Sequence, residues 1–132
     1  MQSQKLDLFL SPIPAGFPSP ASDYVDKSID LNEILIKNKV ATFLVRAIGD
    51  SMIEAGIFSG DILIIDKSIT PANKNIVVAI LNGEFTVKRF VKDRNKISLQ
   101  PENKKYKNIE ISDEDDFKIW GVVTFVIHNP NL

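Results

Sequence analysis

The stretch from Ile76 to Val91 narrows what this chain can become more than any other. Ile76-Val77-Val78-Ala79-Ile80-Leu81 is an apolar run rich in β-branched residues, Asn82-Gly83 follows it, and Glu84 to Val91 returns as a second β-prone run. Asn-Gly accepts positive φ at both centres of a two-residue turn, so the pattern predicts a β-hairpin. Similar short runs recur at Thr42–Ile48, Asp61–Asp66, Ile97–Leu99, Ile109–Ile111 and Phe117–Ile127. Against these stands one helical signal. Asp30-Leu31-Asn32-Glu33 reads as an N-cap with a glutamate three residues on, and Leu31, Ile34 and Leu35 make an i, i+3, i+4 stripe, predicting a short helix near 30–37. The expected fold class is mostly β, a compact set of short packed and partly closed antiparallel sheets.

The first 28 residues differ in kind. Ser11-Pro12-Ile13-Pro14-Ala15-Gly16-Phe17-Pro18-Ser19-Pro20 holds four of the seven prolines within ten positions. Proline fixes φ, lacks an N–H and restricts the residue before it, so this segment should be extended and polyproline-like. A backbone free of internal hydrogen bonds can lie in a groove as a peptide ligand does. Composition alone is equally compatible with a loose terminus. The expected organisation is an N-terminal arm over 1–28 and a β-rich domain over 29–132.

Composition removes several chemistries. A length of 132 residues, 44% hydrophobic and 25% charged, is that of one globular domain. Sixteen Lys+Arg against 17 Asp+Glu give a net charge of -1, without the basic excess that holds nucleic-acid phosphates, so no direct sequence-specific DNA binding is expected. The chain has no cysteine and a single histidine, His128. That excludes disulfides and thiolate sites and leaves little for a zinc site or a histidine triad, so no metal or cofactor is expected. Hydrolytic chemistry would have to run on Ser, Lys, Asp or Glu. The apolar start Leu6–Leu10 is short and broken by Asp7, and Trp120–Ile127 is far below the roughly 18–20 residues of a membrane span. A soluble, cytoplasmic chain is the expectation.

Three places carry candidate chemistry. Gly49-Asp50-Ser51-Met52 falls where a strand ends, and a serine on a tight turn is presented to solvent with backbone N–H groups nearby, as a nucleophile with an oxyanion hole requires. A plain turn or a helix cap through Ala55 explains the same four residues. Lys88 sits among apolar neighbours on the return strand of the hairpin, where alternation puts Thr86, Lys88 and Phe90 on one face. Burial lowers a lysine pKa, and a drop of about three units from about 10.4 makes the amine a base near neutral pH. An exposed strand lysine is the competing reading. Ala15-Gly16 is a small pair within the arm, either a site open to close approach or a flexible joint.

In order, these pieces resemble the self-cleaving serine–lysine peptidases of the SOS response, the family of LexA repressors, phage repressors and UmuD-type mutagenesis proteins. The resemblance spans about residues 14–127. It rests on Ala15-Gly16-Phe17-Pro18-Ser19-Pro20-Ala21, Gly49-Asp50-Ser51-Met52, Ser59-Gly60-Asp61-Ile62-Leu63-Ile64-Ile65-Asp66 and Gly83-Glu84-Phe85-Thr86-Val87-Lys88, then Leu99-Gln100-Pro101-Glu102-Asn103, Tyr106 and Gly121-Val122-Val123. The separations from Ala15 to Ser51 and from Ser51 to Lys88 also agree with the family. The UmuD type is the nearer match, through Gly16–Ala21, Asp23-Tyr24-Val25 and Ile29-Asp30-Leu31-Asn32. One departure is Ala15, where some UmuD-type proteins carry cysteine. Only 15 residues precede Gly16 here, fewer than three packed helices need, so a DNA-reading repressor is not expected.

The resemblance implies Ser51 as nucleophile, Lys88 as general base, cleavage between Ala15 and Gly16, and the backbone N–H groups of Asp50 and Ser51 as an oxyanion hole. It also implies a homodimer, with Phe117–Ile127 a contributor, stimulation by a RecA filament on single-stranded DNA, and a processed form that joins a Y-family polymerase of UmuC type in translesion synthesis. Gly16 to Ile29 can extend to about 45 Å at about 3.3 Å per residue, which leaves cleavage within one chain and between two chains both open. The alternative function is a non-enzymatic polymerase-accessory or repressor-like regulatory module that keeps the fold.

Overall fold

Strands form where β-branched and aromatic residues are densest. The computed structural model describes residues 4–10, 12–20 and 24–132. Of the arm motif, Ser11, Ala21 and Asp23 lie outside the described residues, as do Met1–Ser3 and Ser22. The chain divides into two compact units, Met1–Lys37 and Asn38–Leu132.

In the first unit, β1 (Lys5–Phe9) pairs antiparallel with β2 (Val25–Asp30) in a two-stranded sheet. Leu6 stands opposite Ile29, and Asp7 opposite Ser28, whose hydroxyl donates to Asp7 Oδ1 at 3.0 Å. The sequence reading names no strand before Thr42. The signal in Leu6 and Leu8 is only two alternate apolar positions, too brief to register beside the proline cluster that follows. Ala15, Gly16 and Phe17 bend in the exposed loop between the two strands. The helix α1 spans Leu31–Leu35, with Asp30 as its N-cap accepting from the Asn32 N–H at 3.0 Å. Ile36 is extended and ends it, so the helix is shorter than the 30–37 expected, and none of its residues is buried.

In the second unit, β3 (Thr42–Arg46), β4 (Ile62–Asp66), β5 (Ile76–Leu81), β6 (Glu84–Asp93), β7 (Lys96–Gln100), β8 (Ile109–Glu110) and β9 (Phe117–Ile127) form one sheet in the order β3-β4-β9-β5-β6-β7-β8. All neighbours run antiparallel. Each predicted strand is found, with ends shifted by a few residues. Asn82 (φ 50°) and Gly83 (φ 85°) make the expected hairpin turn between β5 and β6.

Alternation sorts the sheet's apolar residues into two clusters. One gathers Ala47, Met52, Ile57, Leu63, Ile65 and Val78, and the other Val77, Ala79, Phe90, Leu99 and Val122. Adjacent residues of β5 thus serve opposite faces. The long central strand β9 reaches both by register shifts against β4 and β5. At the second shift stands Gly121, where an added methyl group would collide with Ile65. Among the described residues no helix is long and apolar enough to cross a membrane.

Candidate active site

Ser51, on the loop between β3 and β4, meets Lys88 on the return strand β6 of the hairpin. Beyond β3, the Ala47 N–H donates to Asp61 O and the Gly60 N–H to Ala47 O, both at 2.8 Å. Gly49 (φ 93°) then turns the chain into a conformation that costs an L side chain energy. Its N–H is held by Ser59 Oγ at 3.0 Å. Two residues after Asp50, Met52 is only 2% exposed and belongs to the first core cluster. The turn bearing Ser51 is thereby anchored on both sides.

The Lys88 amine donates to Ser51 Oγ at 3.2 Å, to Thr86 Oγ1 at 2.7 Å and to Val87 O at 3.1 Å. All three partners are neutral, and no carboxylate pairs with Lys88 among the described residues. Burial disfavours the ammonium and holds the Lys88 pKa below the ordinary lysine value. The shared face of Thr86 and Lys88 follows from strand alternation, and the Val87 side chain packs on the first cluster instead. His128 is engaged elsewhere, its Nδ1 lying 2.6 Å from Asp61 Oδ1.

A cleft of about 370 Å³ opens beside the pair. Val45, Ala47, Ile57, Val78 and Phe85 give it apolar walls, and Ser51, Thr86 and Lys88 supply its polar edge. Among the described residues, the N–H groups of Asp50, Ser51 and Met52 donate to no acceptor. Ala15 and Gly16 belong to the first unit, in its exposed loop.

The sequence assigns no role to residues 102–106, the segment after β7 that grips the Ser51 turn. The Glu102 N–H donates to Ser51 O and the Glu54 N–H to Glu102 O, both at 2.8 Å. Asn103 Nδ2 donates to Asp50 O at 2.7 Å, and the Tyr106 hydroxyl donates to Asp50 Oδ1. That bond to Asp50 raises the Tyr106 pKa above the usual phenol value. Glu102 is itself held by the Arg89 guanidinium, next along β6 from Lys88. The only sequence signal for this segment is the run Pro101-Glu102-Asn103 with Tyr106, which carries no chemistry of its own.

The Peptidase S24-like family model matches residues 7–124. Protein SamA of Salmonella typhimurium is 48% identical over 122 residues, covering 92% of this chain and 84% of that protein. Protein ImpA of Escherichia coli is 42% identical over 129 residues, covering 92% and 82%. The LexA repressor of Clostridium kluyveri is 41% identical over 124 residues, covering 91% of this chain but 60% of that repressor. A match of this extent, on a fold whose sheet brings a serine and a lysine into hydrogen bond, places the chain in the Peptidase S24-like family of self-cleaving serine proteases, on its UmuD-like side.

Proposed function

We propose that this protein is a serine endopeptidase that cuts its own Ala15–Gly16 bond by a Ser51–Lys88 dyad. The observation that carries the reading is the Lys88 amine, 3.2 Å from Ser51 Oγ, partly buried and paired with no carboxylate among the described residues. Such an amine loses its proton more easily than an exposed lysine and can act as a base.

Ser51 Oγ attacks the Ala15 carbonyl carbon as its proton passes to neutral Lys88. The carbonyl oxygen becomes an oxyanion, and the backbone N–H groups of Ser51 and Asp50 are its donors. Collapse of the tetrahedral intermediate breaks the C–N bond to Gly16, and protonated Lys88 gives its proton to the leaving amine. Water then hydrolyses the Ala15 ester, regenerating Ser51. The products are residues 1–15 and a processed chain that begins at Gly16. The apolar cleft beside Ser51 suits a substrate of small and apolar residues such as Pro14-Ala15-Gly16-Phe17. Because the substrate is tethered, its effective concentration is high and a modest site suffices.

Kinship with UmuD-like proteins supports a place in SOS mutagenesis. In that setting a homodimer is the working form and a RecA filament on single-stranded DNA promotes cleavage. The processed chain then serves a Y-family polymerase of UmuC type in translesion synthesis.

The test is intact-mass analysis of purified protein across pH, with and without a RecA filament. Wild type should lose residues 1–15, while Ser51→Ala and Lys88→Ala stay whole. The rate should climb with pH, as the neutral fraction of Lys88 grows, and then level off. Cleavage that survives in Ser51→Ala, or a rate that falls through pH 8–10, would overturn the dyad.

A further inference from the structure

The Ser51 turn offers three unused N–H groups, yet neither the core nor Lys88 accounts for their orientation. The answer lies in the peptide planes. A peptide unit is flat and trans, so its carbonyl and its N–H point in opposite directions. Whatever holds the Asp50 carbonyl therefore aims the Ser51 N–H, and whatever holds the Ser51 carbonyl aims that of Met52.

Both carbonyls are gripped by one short segment, and the Asp50 oxygen accepts in addition a longer bond from the Ile53 N–H at 3.4 Å. Asn103 Nδ2 takes the Asp50 oxygen at 2.7 Å, and the Glu102 N–H takes that of Ser51 at 2.8 Å. The donated N–H groups are thus turned away from residues 102–103, and they are free among the described residues. Asn103 is well fixed for this task. It is 6% exposed, its Oδ1 accepts from the Lys105 N–H at 3.0 Å, and its own carbonyl accepts from the Tyr106 N–H at 3.0 Å. Its neighbour Glu102 is tied by the Arg89 guanidinium to β6, the strand that carries Lys88. A charge-free amide donor to the carbonyl also polarises the peptide and strengthens its N–H as a donor.

We propose that Asn103 is a positioning residue: by pinning the Asp50 carbonyl it aims the Ser51 N–H at the oxygen of the tetrahedral intermediate. The inference rests on Ser51 being the nucleophile. It assigns Asn103 no contact with the reacting atoms. Its effect falls on the height of the rate plateau, whereas Lys88 sets where on the pH axis that plateau begins.

The experiment compares pH–rate profiles of self-cleavage for wild type, Asn103→Ala and Asn103→Asp, with Ser51→Ala alongside. Asn103→Asp keeps the acceptor for the Lys105 N–H and removes the donor to Asp50. Methyl NMR signals of Leu63 and Met52 report whether the fold persists. Both Asn103 variants should keep those signals and lose about 10- to 100-fold in plateau rate, since a mis-aimed donor forfeits much of an oxyanion contact. The profile midpoint should stay where it is in wild type. Wild-type plateau rates, or a midpoint that moves in place of the plateau, would overturn the proposal. So would loss of the fold in both variants, which would mark Asn103 as structural. Cleavage persisting in Ser51→Ala would instead fail the dyad itself, a result that no Asn103 profile can mimic.

Discussion

The two units of this molecule are both antiparallel β, yet they are held together by different forces. In Asn38–Leu132, eleven-residue β9 lies between β4 and β5, and two clusters of buried apolar residues occupy the sheet's opposite faces. In Met1–Lys37, every residue of β1 is exposed, and of β2 only Asp30 is buried. The ribbon is kept in register by its backbone ladder and by local contacts such as Ser28 to Asp7. Two strands without a covered apolar face are marginal in water. Among the described residues, none of 1–37 belongs to either core cluster. The proposed cut at Ala15–Gly16 therefore lies in the unit that supplies no described residue to either core cluster, so the chain could lose its first 15 residues and keep both clusters intact.

The largest expected effect is the direct test of this contrast. Leu63 is fully buried in the first cluster, while Leu8 in β1 is 44% exposed. Leu63→Ala should cost about 3 kcal/mol of unfolding free energy through lost transfer energy and a residual cavity. Leu8→Ala should cost no more than about 0.5 kcal/mol, as surface substitutions do. Both are read from chemical denaturation of the full chain. Equal losses would mean that the ribbon shares a core with the sheet, and the contrast would collapse.

A smaller effect should show that even the well-packed unit carries a functional flaw. Lys88 is partly buried with no counter-ion among the described residues, and burial lowers its pKa. Below the lowered pKa, lysine is charged in both folded and unfolded chains, and the penalty for burying the charge is present in full. Between that pKa and the ordinary lysine range, the unfolded chain holds a proton that the folded chain lacks, so wild-type stability rises with pH. Above the ordinary range the difference is gone. Lys88→Met should therefore be more stable than wild type by about 1 kcal/mol at neutral pH, with the gap closing as pH rises toward 10, while cleavage is lost. Denaturation curves at several pH values check the sign. A variant that is less stable at neutral pH would show that the amine's three hydrogen bonds outweigh the burial of its charge.

The same division explains what could be read in the sequence. The strands of the second unit are legible because each has enough β-branched residues to face a core, and Asn82-Gly83 fixes the hairpin register. Ser51 and Lys88 are visible as residue types, but their meeting at 3.2 Å depends on sheet order, in which β6 lies three places from β4. Thr86 is visible as a neighbour of Lys88 by alternation alone. The ribbon is not legible because its pairing joins residues 16 to 25 positions apart through backbone groups that every sequence possesses. Asn103 is hidden for a related reason: what it holds is the Asp50 carbonyl, and a contact to the main chain leaves no pattern in side-chain spacing.

The smallest effect on global stability should come from the cut itself, and it tests the ribbon from the other side. Cleavage at Ala15–Gly16 leaves β1 on the released piece and β2 on the retained one. The pairing that was intramolecular then becomes an association of two short strands, which five or six residues without a core do not sustain. The released peptide should dissociate on dilution. Amides of Val25–Asp30 that are paired in the intact chain should then exchange with deuterium at rates near those of an open chain, while those of β4, β5 and β9 remain protected. The melting temperature of the sheet unit should move by less than about 2 °C, because its two clusters are untouched. Exchange in β2 that stays slow after the peptide is removed would mean that another surface has taken the place of β1. Loss of protection in β9 would mean that the sheet depends on the ribbon after all.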